Sequence, residues 1–181
     1  MIKRVRKWFW AWNDDKEEKF LEDMAADGYK LKNVSIGMYE FISSEPEKVR
    51  YQLDFKGINR MSEEEYLQIF EDAGWECADR LGSWYYFRKT YDEEMPDLSI
   101  FSDNRSRLEK YRRIILVLFL TGFPLYYQLL ILFPNIDGEE FHYPNFYFFF
   151  RIFVAMLAVV HAAVLIRIIA KIVKENKSIK E

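Results

Sequence analysis

The side chains with most to say about chemistry stand where polar groups are costly. His161 and Arg151 interrupt the apolar run at residues 146–170, and Thr121 and Gln128 interrupt another at residues 114–133. An ionisable group in an apolar medium costs several kcal/mol unless it is partnered, so each marks either a structural contact or a task. A neutral histidine bonded to Thr121 or to a backbone carbonyl is structural. One that changes protonation is a proton or ligand sensor. Arg151, about one and a half turns from the end of its run, either snorkels to the interface or pairs with Gln128 at similar depth.

Elsewhere the inventory is thin. The single cysteine, Cys77, excludes an internal disulfide and a cysteine-based zinc site, and with no histidine near it in sequence it reads as a small strand residue. Glu17, Glu18, Glu22 and Asp23, like Glu63, Glu64 and Glu65, resemble paired catalytic carboxylates but sit at helix starts beside lysines, which predicts a solvated face. The sequence has no glycine-rich phosphate loop, no histidine pair at ligand spacing and no Gly-x-Ser-x-Gly. The chain therefore reads as a non-enzyme with no cofactor. Its net charge of −3 is too small to imply a nucleic-acid partner. The opening KRVRKWFWAW interleaves basic and aromatic residues, a pattern shared by solvated sheet edges, membrane-surface contacts and nucleic-acid platforms, but the aromatic-basic strands of RNA-recognition modules are missing. It also lacks the apolar core and cleavage site of a signal peptide, so the first domain is expected to stay cytosolic.

The elements that would position these residues follow from periodicity. Residues 4–12 alternate as a strand, Asn13 or Asp14 caps a helix carrying Phe20, Leu21, Met24 and Ala25, and Gly28 stops it. Residues 29–42 and 49–55 read as two strands around a turn at residues 43–46. Ser62 and Glu65 form a capping-box pattern for a second helix ending at Gly74, and residues 75–80 and 83–91 are two more strands. At a constant offset of 46, Phe20 matches Tyr66, Leu21 matches Leu67, Gly28 matches Gly74, Tyr29 matches Trp75, Tyr39 matches Tyr85 and Phe41 matches Phe87. The order β-α-β-β-α-β-β and this internal duplication predict an α+β, ferredoxin-like domain: one antiparallel sheet with two helices on one face. Tyr39, Phe41, Tyr51, Phe55, Trp84 and Tyr86 then put aromatic rings on both faces of the sheet. The face that the helices leave bare is a candidate binding surface for a ligand, a partner or a second copy.

Phe20-Leu21-Glu22-Asp23-Met24-Ala25-Ala26-Asp27-Gly28-Tyr29-Lys30-Leu31, Tyr39-Glu40-Phe41, Tyr51-Gln52-Leu53-Asp54-Phe55, Tyr66-Leu67 to Gly74-Trp75-Glu76, Tyr86-Phe87-Arg88-Lys89 and Ser102-Asp103 with Ser106 together resemble the bacterial family called domain of unknown function 2812. The resemblance covers roughly residues 12–113. It implies a small membrane-anchored protein, often encoded beside PadR-type transcriptional regulators, and it carries no catalytic residues.

The expected organisation is a cytosolic domain at 1–97, a linker helix at 98–113, a membrane helix at 114–133, an external loop at 134–145, a second membrane helix at 146–170 and a tail at 171–181. Each apolar run has the roughly twenty residues a bilayer crossing needs. Asp92, Glu93, Glu94, Pro96 and Asp97 mark the linker, and Ser102 or Asp103 caps the helix that follows. Arg105, Arg107, Lys110, Arg112 and Arg113 flank the first run and Lys171, Lys174, Lys177 and Lys180 the second, while the loop has Asp137, Glu139 and Glu140 and no basic residue. The positive-inside rule then places both termini in the cytoplasm of a cell with an inner membrane. Tyr126, Tyr127, Phe141, Tyr143, Phe146 and Tyr147 fit an outer aromatic belt, and Gly122 sits at about the same depth as the small residues Ala155, Ala158 and Ala162, which suits close helix contact. Functionally the sequence reads as a membrane-anchored regulatory or sensory protein whose cytosolic domain binds a partner or ligand, with a protein partner or self-association expected. The alternatives are a non-catalytic accessory subunit of a membrane complex and, after that, an interfacial enzyme on a hydrophobic substrate.

Overall fold

The computed structural model describes residues 1–58, 61–91, 104–136 and 144–178. The linker carboxylates from Asp92 to Asp97, the caps Ser102 and Asp103, the side chains of Arg105 and Arg107, the loop residues Asp137, Glu139, Glu140, Phe141 and Tyr143, and Lys180 lie outside the described residues. The chain forms two compact units, Met1–Arg113 and Ile114–Glu181.

In the first unit the order is β1 (Ile2–Arg6), α1 (Asp14–Ala26), β2 (Tyr29–Ser35), β3 (Met38–Ser43), β4 (Val49–Phe55), α2 (Glu63–Asp72), β5 (Glu76–Leu81) and β6 (Trp84–Thr90), followed by the start of α3 (Asn104–Tyr127). Residues 29–42 are thus two strands and not one. Gly37, at φ +68°, turns the chain between β2 and β3, in the left-handed region that glycine alone enters without a Cβ penalty. That extra strand completes the first half as β-α-β-β, the same order as the second. The single ferredoxin-like sheet is consequently replaced by two three-stranded antiparallel sheets, ordered β1-β3-β2 and β4-β6-β5.

The halves share fine detail. In β2–β3 the register slips between Leu31 and Asn33, and in β5–β6 it slips between Cys77 and Asp79, the same bulge 46 positions on. Gly28 and Gly74 end the two helices at φ +82° and +78°. β2 lies against β5, but side chains replace ladder bonds there: Asp79 accepts from the Val34 amide at 2.5 Å and from Asn33 Nδ2 at 3.3 Å, and Arg88 donates to the Leu31 carbonyl at 3.4 Å.

Helix starts differ. Ser62 and Glu65 make the reciprocal capping box at 3.1 and 2.9 Å. The Asn13 side chain makes no capping bond, and its carbonyl receives the amides of Lys16 and Glu17 instead. One aromatic-rich core joins α1 to both sheets through Leu21, Met24, Phe41, Tyr51, Leu53 and Tyr86. A second, Tyr66, Phe70, Trp75, Tyr85 and Phe87, sits under α2, with Phe70 and Phe87 stacked 3.7 Å apart.

The second unit holds the rest of α3, a π-helical turn at Gln128–Leu132, a short 3-10 turn at Phe133–Asn135 and α4 (Pro144–Ser178). Pro124 removes one helical donor inside α3. Leu108–Asn135 and Asn145–Lys177 are both long and apolar enough to cross a membrane. Side chains such as Phe119, Phe123, Leu130, Phe149 and Val159 point outward.

Candidate functional site: an aromatic cavity with a carboxylate floor

Asp23, Glu63, Glu64 and Glu65 are exposed, as expected of a solvated face, but Glu17 is not. Asp14 and Glu17 are 4% and 8% exposed, because they continue toward the N-terminus the same helical stripe that buries Leu21, Met24 and Ala25. Asp14 is held by Lys110 at 2.5 Å and by the Tyr111 hydroxyl at 2.9 Å. Glu18 and Glu22 accept the amides of Leu53 and Tyr51 at 2.8 and 3.3 Å. On the same strand Lys110 donates to the Leu53 carbonyl and Arg113 to that of Phe55, at 3.0 and 2.6 Å. These bonds close the outer edge of β4, where its sheet ends. Arg113 also binds Asp54, itself 2% exposed, which receives the Tyr66 hydroxyl at 2.7 Å.

Glu17 receives the hydroxyls of Tyr39 and Tyr86 on one oxygen, at 2.6 and 2.7 Å. Burial raises its pKa, the two hydroxyls pull it back down, and neighbouring Asp14 pushes it further up. Burial, and then the Glu17 carboxylate, hold both tyrosines well above the ordinary phenol range, so they remain donors. The other Glu17 oxygen accepts no hydrogen bond from the described residues. Since no fully buried side-chain oxygen among the described residues lacks a partner, that oxygen opens onto free space.

The space is a cavity of about 280 Å³ with Asp14, Glu17, Tyr39 and Tyr86 at one side and Trp8, Phe9, Trp10 and Trp84 among its walls. The wall segment follows β1 as irregular chain. The strand expected to run to residue 12 ends at Arg6, and Trp10 and Trp12 stack at 5.2 Å. Lys7 places its ammonium 4.2 Å from the Phe20 ring centre and 5.2 Å from that of Phe9.

Of the six sheet-face aromatics, Tyr39, Trp84 and Tyr86 line this cavity. Phe41 and Tyr51 are core residues at 0% and 3% exposure, and Phe55 packs on Trp84 at 5.3 Å. Asp14, Glu17, Asp54, Lys110 and Arg113 were not among the sequence candidates. The helical stripe through Asp14 and Glu17, and an aspartate inside the apolar strand around Leu53 and Phe55, are the signals that point to the three acids. Cys77 is half-buried, its thiol pushed up to about 11 by burial first and then by Asp79 and Glu63.

In the second unit His161 faces the preceding helix. Its Nε2 lies 2.9 Å from the Leu118 carbonyl and its Nδ1 3.1 Å from the Tyr126 hydroxyl. A carbonyl only accepts, so Nε2 carries the proton. Thr121 bonds the carbonyls of Val117 and Leu118 on its own helix and is not brought to the imidazole. Arg151 lies over the rings of Phe133 and Tyr147 at 5.8 and 5.7 Å, and no bond joins it to Gln128.

The fold is an α+β domain of two small antiparallel sheets followed by two helices of membrane-crossing length, with a half-open aromatic and acidic cavity in the domain. The chain belongs to the family described as protein of unknown function DUF2812, whose model matches residues 13–123. The match takes in the cavity floor and Trp84 but not Trp8, Phe9, Trp10 or His161. No curated protein and no solved structure matches the chain.

Proposed function

We propose that this is a membrane-held sensory or regulatory protein whose α+β domain, in the cytosol, binds a small ligand. The observation that carries the reading is the cavity: an unengaged oxygen of a buried carboxylate, between aromatic walls, is an arrangement that selects a bound molecule. Two carboxylates at one site also suit acid–base chemistry. Asp14, however, is engaged by Lys110 and Tyr111, and one oxygen of Glu17 by two tyrosines, which favours holding a ligand over transforming one. The common connectivity and the repeated bulge support an internal duplication of a βαββ unit.

The test is a thermal-shift screen of the full chain in detergent against a panel of small polar and amphiphilic compounds. Some compounds should stabilise the wild type and have no effect on Trp84→Leu. A panel that leaves the wild type unmoved, or moves both proteins alike, removes the ligand-binding reading. For topology, an impermeant maleimide should label a cysteine placed at Asn135 in intact cells and spare one at Ser178. Native Cys77, with its raised pKa, adds little background. The reverse labelling pattern would invert the orientation.

A further inference from the structure

We propose that the cavity takes a small organic cation, a primary ammonium carried on a compact apolar body. The proposal rests on the ligand-binding reading above and narrows it to one chemical class.

Three observations converge. The free Glu17 oxygen is an acceptor without a donor, on a residue more than nine-tenths buried. A neutral apolar occupant would strip water from that oxygen and give nothing back, and an anion would face it directly; an ammonium supplies both the N–H and the opposite charge. The walls are the second observation. Trp8, Phe9 and Trp84 line the cavity, and aromatic rings attract cations within about 6 Å of their faces, tryptophan most strongly. Rings at this site already accommodate an ammonium, because Lys7, itself a lining residue, rests on Phe9 and Phe20. The third is charge balance. Asp14 is offset by Lys110, and Lys7 is directed at rings, so the Glu17 carboxylate is the charge left to meet an occupant. Volume sets the size. About 280 Å³ falls just below the roughly 300–1,000 Å³ usual for small-molecule sites, which suits a body of few heavy atoms.

The experiment uses the full chain in detergent and three probes of one shape: 3,3-dimethylbutylamine, the neutral 3,3-dimethyl-1-butanol and the anion 3,3-dimethylbutyrate. Three of the five tryptophans line the cavity, so tryptophan fluorescence reports occupancy, with calorimetry to confirm. The amine should bind saturably and at least tenfold more tightly than the alcohol, with the butyrate weakest. Glu17→Gln keeps an acceptor for both tyrosine hydroxyls but loses the charge, and it should erase the preference for the amine while the unfolding midpoint is retained. Trp8→Leu, at a residue 58% exposed and so dispensable for folding, should weaken the amine more than the alcohol. Equal binding of amine and alcohol, or an unchanged preference in both variants, overturns the cation assignment while leaving the cavity a ligand site. Binding of none of the three also overturns the assignment, and the wider compound panel then decides separately whether the cavity binds anything.

Discussion

β1 and β4 hold the same place in their halves, each an outer strand paired to the last strand of its own βαββ unit, yet their free edges are treated in opposite ways. Along β4, amides and carbonyls that face away from the sheet are taken up by glutamates of α1 and by Lys110 and Arg113 of α3. β1 instead leaves Ile2, Arg4 and Arg6 exposed. Basic side chains on an open edge discourage another strand from adding there. The comparison teaches that one connectivity can carry two solutions to the same unpaired backbone. In the second half the solution is internal, and it makes residues 110–113 part of the domain and not a linker.

The sharpest way to break this comparison is to remove Lys110. Lys110→Met leaves the buried Asp14 without its cation and should cost about 3–5 kcal/mol, read as a loss of unfolding free energy in denaturant. A chain ending at residue 97 should likewise fail to melt cooperatively, whereas one ending at 113 should melt as a unit.

The paired glycines come next. Alanine at positive φ costs about 1–2 kcal/mol at either position. The loss should be larger for Gly28→Ala, whose Cβ would meet the Ser44 carbonyl oxygen at 3.0 Å, than for Gly74→Ala, which meets only the mobile end of Lys89 at 3.3 Å. Equal losses would mean that the two helix ends are energetically interchangeable.

Glu17 supplies a pH test within the first half. Its folded pKa is raised, so its contribution to stability is fully present below the unfolded value of 4.5 and is lost as pH rises through the folded value. The stability of the wild type relative to Glu17→Gln should therefore fall between pH 4 and pH 7 in paired denaturation curves. A flat difference would show that the carboxyl meets the same environment folded and unfolded. The smallest effect belongs to the open edge. Arg4 pairs with Glu40 at 2.6 Å while remaining 68% exposed, so Arg4→Met should change stability by less than about 1 kcal/mol. A loss as large as that of Lys110→Met would end the distinction between the two edges.

Much of this architecture was legible before the structure. Helix positions, both glycine stops and the Ser62–Glu65 box follow from short-range chemistry, and short-range chemistry is what sequence spacing reports. The hairpin at Gly37 was hidden because residues on both sides of it alternate well enough to pass for one strand. The single sheet failed for the same reason, since a missing strand changes which strands can be neighbours. The cavity was half visible. Tyr39, Trp84 and Tyr86 stood out as aromatic, whereas Asp14 and Glu17 looked like helix-start charges, and only the burial of their face distinguishes the two roles. That burial depends on β4 and on α3, 35 to nearly 100 positions away.

Gly122 carries a consequence for heredity. A Cβ at that position would lie 2.5 Å from His161 Cε1 and 2.9 Å from Nε2, while the imidazole is pinned by Leu118 and Tyr126 and has no free rotation to yield. Position 122 cannot gain a side chain while His161 stays. Across related chains, positions 122 and 161 should change together, with alanine or serine at 122 accompanied by a smaller or differently shaped residue at 161. A lineage that loses the histidine also loses the selection that keeps 122 bare.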